Sequence, residues 1–224
     1  MKRVAVVLSG CGFLDGAEIT EAVSVLIHLD RRGLSFSCFA PDMPQSSVVN
    51  HATHKPGVGT RNVLEESARI ARGKIAPLAS LKASDFDAVV FPGGFGAAKN
   101  LCDFASNGPD CSVQTDVART LREFHAAKKP IGLCCIAPVL AARVLGTASG
   151  GPGCTLTIGA DPGTASALSK MGATNVDHRV TEAHLDAKNL IVSTPAYMCE
   201  SGPHGVFTGI GALVDELAKL LGPR

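Results

Sequence analysis

The chain has 224 residues, no tryptophan and a single tyrosine, Tyr197. Nine phenylalanines complete an aromatic share of only 4%, against 24 glycines. That profile suits a layered α/β fold with small residues at tight strand-to-helix turns. Charge of one sign is lacking too: the formal net charge is +1, with Lys and Arg spread along the chain. A nucleic-acid surface is therefore not expected. No stretch approaches the roughly 20 uninterrupted apolar residues of a membrane span. The N-terminus runs straight into an apolar strand at Val4 to Leu8, so no targeting segment is expected there. None of the eight cysteines forms a CxxC pair, which argues against zinc and for free thiols.

What is present is a compact globular composition, 46% hydrophobic and 18% charged. Periodicity predicts strands over Arg3–Ser9, Ser35–Phe39, Phe86–Phe91 and Pro130–Cys134. It predicts helices over Glu18–Arg32, Arg61–Arg72, Val113–Ala127, Ile136–Leu145, Thr164–Met171 and Gly209–Leu221. Gly33 and Gly73 read as helix stops. Val180–His184 and Leu190–Ser193 read as short strands around a hairpin at Asp186–Asn189. Met43–Gly59 reads as a polar loop and Gly146–Gly153 as a mobile, Gly-rich one. Alternating strands and helices imply one domain over 1–224, with a mostly parallel sheet covered on both faces.

In such folds ligands gather outside the carboxyl ends of the strands. Three segments fall there. In Pro130–Pro138 an apolar strand breaks into a helix, with Pro138 in the first helical turn. Cys135 sits at that bend, where orphan N–H groups and the helix dipole are expected to stabilise a thiolate. A buried structural cysteine would account for the same spacing. In Pro92–Gly96, consecutive glycines after a strand allow backbone N–H groups to face an oxyanion, or form a plain flexible turn. Glu18 and Glu21 fall in the first turn of the helix after the Arg3–Ser9 strand, where acids are ordinary. One of them pointing inward could bond the thiol, with its pKa raised by burial.

These strings, together with Leu8–Gly12, Asp15–Ile19, Arg61–Leu64, Phe91–Leu101 and Thr194–Met198, carry a resemblance across nearly the whole chain. The sequence resembles the PfpI-type branch of the class I glutamine-amidotransferase-like superfamily, and within it the ElbB-like proteins and their eukaryotic mitochondrial relatives. The resemblance implies a flavodoxin-like sandwich with a nucleophile elbow, and a homodimer. It implies Cys135 as nucleophile, Glu21 as its acidic partner, and the N–H groups of Gly94 and Ile136 as oxyanion hole. It also implies a weak glyoxalase that uses no metal or cofactor and acts on small aldehydes, in the mitochondrial matrix if the source is eukaryotic and in the cytoplasm if bacterial.

One departure bears on chemistry. Amidotransferases carry a His soon after the elbow helix, whereas the corresponding Thr155–Ala160 has none. His184 reads as a surface strand residue, and His51, His178 and His204 as unanchored. A Cys-His-Glu triad is therefore not expected. Glu18, Cys11, Gly93, Asn62 and Tyr197 are further candidates for the pocket. Bland roles stand beside three of them: a packed turn for Cys11, a helix cap for Asn62 and a core position for Tyr197. Alternatives to an aldehyde enzyme are a metabolite-binding or redox-sensing protein and an amidotransferase-like subunit that needs a partner.

Overall fold

The structure, a computed structural model, describes residues 2–222. Its elements are β1 (Arg3–Val7), α1 (Ile19–Arg31), β2 (Ser35–Ala40), β3 (Val49–Asn50), β4 (Lys55–Pro56), α2 (Val63–Ile70), β5 (Ile75–Pro77), β6 (Ala88–Phe91), α3 (Phe95–Lys99), α4 (Phe104–Asn107), α5 (Thr115–Ala126), β7 (Ile131–Cys134), α6 (Pro138–Leu145), β8 (Thr155–Leu156), α7 (Pro162–Lys170), β9 (Thr174–Asn175), β10 (His184–Asp186), β11 (Ile191–Thr194) and α8 (Pro203–Leu221). Seven strands form the central sheet in the order β10-β11-β7-β6-β1-β2-β5. Every pair is parallel except β10 with β11, which closes the predicted hairpin.

Strand alternation feeds two cores. Val4 and Val6 of β1 point to one face, with Val90, Leu213 and Leu217. Ala5 and Val7 point to the other, with Phe91, Leu121, Phe124 and Leu140. The central strands β1, β6, β7 and β11 are buried on both sides, so they read as continuous apolar runs. From β1 the chain moves outward through β2 to β5, then returns to place β6 on the other side of β1. The strand order reverses at β1/β6, and a crevice opens at such a reversal.

Several boundaries differ from the sequence reading. Helix α1 begins at Ile19, and Glu18 is its N-cap rather than part of the first turn. Helix α8 starts six residues earlier than expected, at Pro203, because proline is well suited to a first helical position. The strand expected over Val180–His184 begins only at His184. The Met43–Gly59 loop contains the small hairpin β3–β4. The Gly146–Gly153 stretch is tied down by bonds from Thr147 N–H to Gly172 O (3.2 Å) and from Gly153 N–H to Leu145 O (3.0 Å). Strand β5 and helices α3 and α4 are too short for a periodicity to announce them.

Candidate functional site

β7 delivers its last residue, Cys134, into the core, and the chain then turns sharply. Cys135 takes the left-handed conformation, φ +58°, which costs an L-residue about 1–2 kcal/mol. The turn is held on both sides. Cys135 N–H donates to Thr194 O (2.9 Å), and Ala137 N–H donates to Cys134 O (2.9 Å). Pro138 then opens α6. The bend lifts the Cys135 side chain out of the strand's alternation, leaving it 7% exposed.

Three groups converge on its sulfur. The N–H groups of Gly94 and Ile136 both point to it, and the Glu21 carboxyl is within hydrogen-bonding reach. Glu21 arrives from α1. Glu18 caps that helix by accepting the Glu21 N–H (2.7 Å), so the Glu21 side chain is free to turn inward. Its Oε2 accepts the Gly93 N–H (2.9 Å) and its Oε1 the Tyr197 N–H (3.4 Å). The residue is fully buried. Burial first, and the neighbouring Glu18 second, push its pKa up to about 8, against hydrogen bonds from Cys135, Tyr197 and Gly93 that pull it down. At neutral pH Glu21 is therefore mostly a protonated acid and a donor.

The two glycines after β6 leave no room for side chains. A Cβ on Gly93 would lie 2.5 Å from Cys135 Cβ and 2.7 Å from Glu21 Oε2. Gly94 combines φ +90° with a Cβ position that would meet the Glu18 backbone N. The turn after β6 is thus wedged against both the elbow and the start of α1, and this aims the Gly94 N–H at the sulfur.

The expected thiolate is not the resting state. Burial, and then the Glu21 charge, raise the Cys135 pKa well above the usual thiol value, and the Gly94 and Ile136 N–H groups only partly offset this. The helix-terminus argument fails because α6 begins three residues later and the sulfur is desolvated. Cys134 is likewise buried and raised, and it is not among the residues lining the cavity described next.

A cavity of about 700 Å³ opens beside Cys135. Its walls include Phe13, Glu18, Phe95, Phe104, Ile136 and Tyr197. A second cavity, of about 840 Å³, lies at the β2–β5 edge around Cys38 and Arg72 and touches none of the converging groups. Cys11 is not among the residues lining the cavity at Cys135. It is half-buried near Glu66 and Arg69, and burial raises its pKa. Asn62 also lies elsewhere and caps α2, its Oδ1 accepting from Leu64 N–H (2.8 Å) and Glu65 N–H (3.2 Å). Tyr197 and Glu18 do line the cavity, whereas Gly93 lies behind it, against Cys135 and Glu21.

Three histidine readings need correction, and one is His178, which is anchored 3.3 Å from His184 and 3.5 Å from Glu182 Oε2. His51 is anchored: it accepts from Leu14 N–H (3.2 Å), lies 3.2 Å from Val49 O through Nδ1, and packs under Gly12. His184 is half-buried, 2.8 Å from Thr155 Oγ1 and 3.3 Å from His178 Nε2, because its strand is covered by β8. Among the described residues no histidine lines the cavity at Cys135. The sequence reading missed Asn100, which is buried. Its Nδ2 donates to Ser9 O and Asp15 O (both 2.9 Å), and its Oδ1 accepts from Ser46 N–H and Oγ (both 3.0 Å). It clamps the loop after β1 that carries Phe13 and Glu18. The cavity's aromatic walls were also missed, although clustering of scarce aromatics on the turns after β1 and β6 was there to be read.

No family model matches the chain. It is 53% identical over 230 residues to the human "Glutamine amidotransferase-like class 1 domain-containing protein 3, mitochondrial", which covers 98% of this chain and 84% of that protein. Among solved structures, an isoprenoid biosynthesis protein with amidotransferase-like domain from Ehrlichia chaffeensis superposes with a TM-score of 0.91 at 38% identity, covering 99% of this chain and all of that one. DJ-1beta of Drosophila melanogaster shares the fold at a TM-score of 0.58 and 21% identity, covering 99% of this chain and 91% of that one. The chain belongs to the glutamine amidotransferase-like class 1 domain family.

Proposed function

We propose that this chain is a cofactor-independent, glyoxalase-like enzyme that converts glyoxal to glycolate, and methylglyoxal to lactate, through Cys135. The observation that carries the reading is the convergence of a buried acid and two backbone N–H groups on one sulfur that borders a cavity. In the pair that has lost one proton and keeps the other on Glu21, the Cys135 thiolate attacks the aldehyde carbon, a C–S bond forms, and the carbonyl electron pair moves onto oxygen. The Gly94 and Ile136 N–H groups hold that oxygen and Glu21 delivers its proton. Glu21, now a carboxylate, takes the hydrogen of the same carbon as a proton and returns it to the neighbouring carbon, while the hydroxyl proton of the first carbon passes to the neighbouring oxygen. The enzyme-bound hemithioacetal becomes a thioester of the 2-hydroxy acid. Water adds, the C–S bond breaks, and the thiol is regenerated. One carbon is oxidised and its neighbour reduced, so glyoxal and water alone give glycolic acid.

A raised thiol pKa and the lack of a histidine in the cavity make the reaction slow in this reading, because one missing acid–base partner typically costs about 10²–10⁴-fold. The protonated Glu21 and the two N–H groups support, as a second reading, a redox-sensing role in which they hold an oxidised Cys135, although the raised thiol pKa slows that oxidation as well. An amidotransferase subunit is disfavoured, since among the described residues no basic side chain lines the cavity to meet glutamine's carboxylate. In a eukaryotic cell the proposed reaction takes place in mitochondria, as the human relative's name indicates for that protein. The proposal includes a homodimer, supported by Ile19, Val23 and Ile27, which stand exposed along α1 at helical spacing.

The test mixes purified protein with glyoxal and follows glycolate. Turnover in wild type and none in Cys135→Ala supports the reading. Equal rates in the two exclude it.

A further inference from the structure

The cavity beside Cys135 is far larger than the two-carbon aldehyde of the proposed reaction, and its walls have a definite chemistry. Thirteen residues line it, and four of them are Phe13, Phe95, Phe104 and Tyr197. The whole chain holds only ten aromatic residues, so an even spread would place fewer than one there. Phe13 and Phe95 are 42% and 46% exposed, large apolar surfaces left uncovered at the mouth. Exposed apolar patches of this kind mark binding sites more often than chance, and an aromatic ring held against such walls gains both area burial and ring–ring contact.

The charges there have one sign. Among the described residues, Glu18 and Asp161 are the carboxyl groups that line the cavity, and no Lys, Arg or His joins them. Asp161 caps α7, and the Thr164 N–H that it accepts (2.7 Å) holds its pKa below the usual carboxylate value. Glu18 caps α1. Both caps fix their carboxyl groups in place. Lys99 reaches the Phe95 ring at 5.0 Å, but its Nζ donates to Leu14 O (3.1 Å) and it does not line the cavity. An anion entering would lose its hydration against apolar walls and find only like charge.

We infer that the site selects uncharged 2-oxoaldehydes bearing an aromatic or bulky apolar substituent, over glyoxal and over analogues that carry a carboxylate. The inference rests on the proposed Cys135 chemistry and narrows its substrate. The aldehyde carbon meets the sulfur, its oxygen faces the Gly94 and Ile136 N–H groups, and the substituent lies among Phe13, Phe95, Phe104 and Tyr197. The overall change keeps its balance: an aryl oxoaldehyde plus water gives the aryl 2-hydroxy acid, with the aldehyde carbon oxidised, the ketone carbon reduced and no outside redox partner.

The experiment compares kcat/KM for glyoxal, phenylglyoxal and 4-carboxyphenylglyoxal, each corrected by the Cys135→Ala protein. Phenylglyoxal should exceed glyoxal by about tenfold or more, the worth of burying a ring. The carboxylated analogue should fall about tenfold or more below phenylglyoxal. In Ala105→Lys, which places a cation on the exposed wall, the ratio of carboxylated to plain phenylglyoxal should rise by about tenfold. Cys135-dependent turnover in which glyoxal matches phenylglyoxal, or a ratio that Ala105→Lys does not move, overturns the inference and leaves the proposed function standing. If no aldehyde is turned over, the proposed function fails instead, and the cavity's preference is read by binding. Tyr197 is the only tyrosine, so in protein labelled at the tyrosine ε positions its ring gives one NMR signal. Saturable movement of that signal with acetophenone and not with 4-acetylbenzoate supports the selectivity; no movement with either, or equal movement with both, overturns it.

Discussion

Glu21 and Gly93, 72 residues apart in sequence, are joined at full burial by a hydrogen bond of 2.9 Å from the Gly93 N–H to Glu21 Oε2. The bond fixes the acid from α1 against the turn after β6, and the Cys135 sulfur lies within reach of both. The chemistry proposed for this site depends on that three-way contact.

Activity should follow the proton on this pair. Glu21 titrates at about 8 and Cys135 higher, so the first proton leaves the pair near pH 8. The singly deprotonated pair is the reactive form, since one of the two arrangements of its proton places a thiolate beside an acid. Cys135-dependent kcat/KM with glyoxal should rise about tenfold per pH unit below 8 and level off above it. Glu21→Gln should lower it about 10²–10⁴-fold and remove the break near pH 8. An unchanged pH profile in the variant would show that the acid takes no part.

The same carboxyl couples folding to pH. In the unfolded chain it titrates near 4.5 and in the folded one near 8. Between those values folding takes up a proton, so this group's contribution to stability falls as pH rises and is constant above about 8. The slope approaches about 1.4 kcal/mol per pH unit within the window. Denaturant titrations at pH 5 to 9 should show wild type losing stability relative to Glu21→Gln across that range. Parallel curves would mean that the buried acid is ionised at neutral pH.

Gly93→Ala should damage fold and site together. The new methyl would sit 2.5 Å from Cys135 Cβ and 2.9 Å from Cys134 O, and neither neighbour is the flexible tip of a long side chain. A loss of about 1–3 kcal/mol in unfolding free energy is expected, along with loss of glyoxal turnover. Wild-type stability in this variant would show that the turn after β6 can move away from the elbow.

Asn100→Ala should destabilise by about 2–4 kcal/mol, since it strands the buried carbonyls of Ser9 and Asp15. The loop after β1 should then exchange its amide hydrogens faster, with the largest change at residues 10–16. An exchange pattern confined to the neighbourhood of α3 would argue against a clamp that spans the two loops.

Local signals made much of this protein legible from its letters. The apolar runs at Val4–Leu8 and Ile131–Cys134, the glycines that end helices and the proline at 138 each act on their immediate neighbours, and they placed the parallel sheet and the bend at Cys135. Short elements such as β5 and α3 are set by pairing with distant strands and left no periodic trace. Asn62 was legible as a cap because capping is local; Asn100 was not legible as a clamp because its partners lie 54 to 91 residues away.

By itself, then, the sequence determined the layered architecture and which residues stand at the strand ends, because periodicity and turn chemistry operate within a few residues. Only the tertiary structure decided the sign of the Cys135 titration, the inward turn of Glu21 and the aromatic, acidic cavity. Each of those depends on desolvation and Coulomb interactions summed over groups that α1, α3, α4, α7 and the segment after β11 bring together from across the chain.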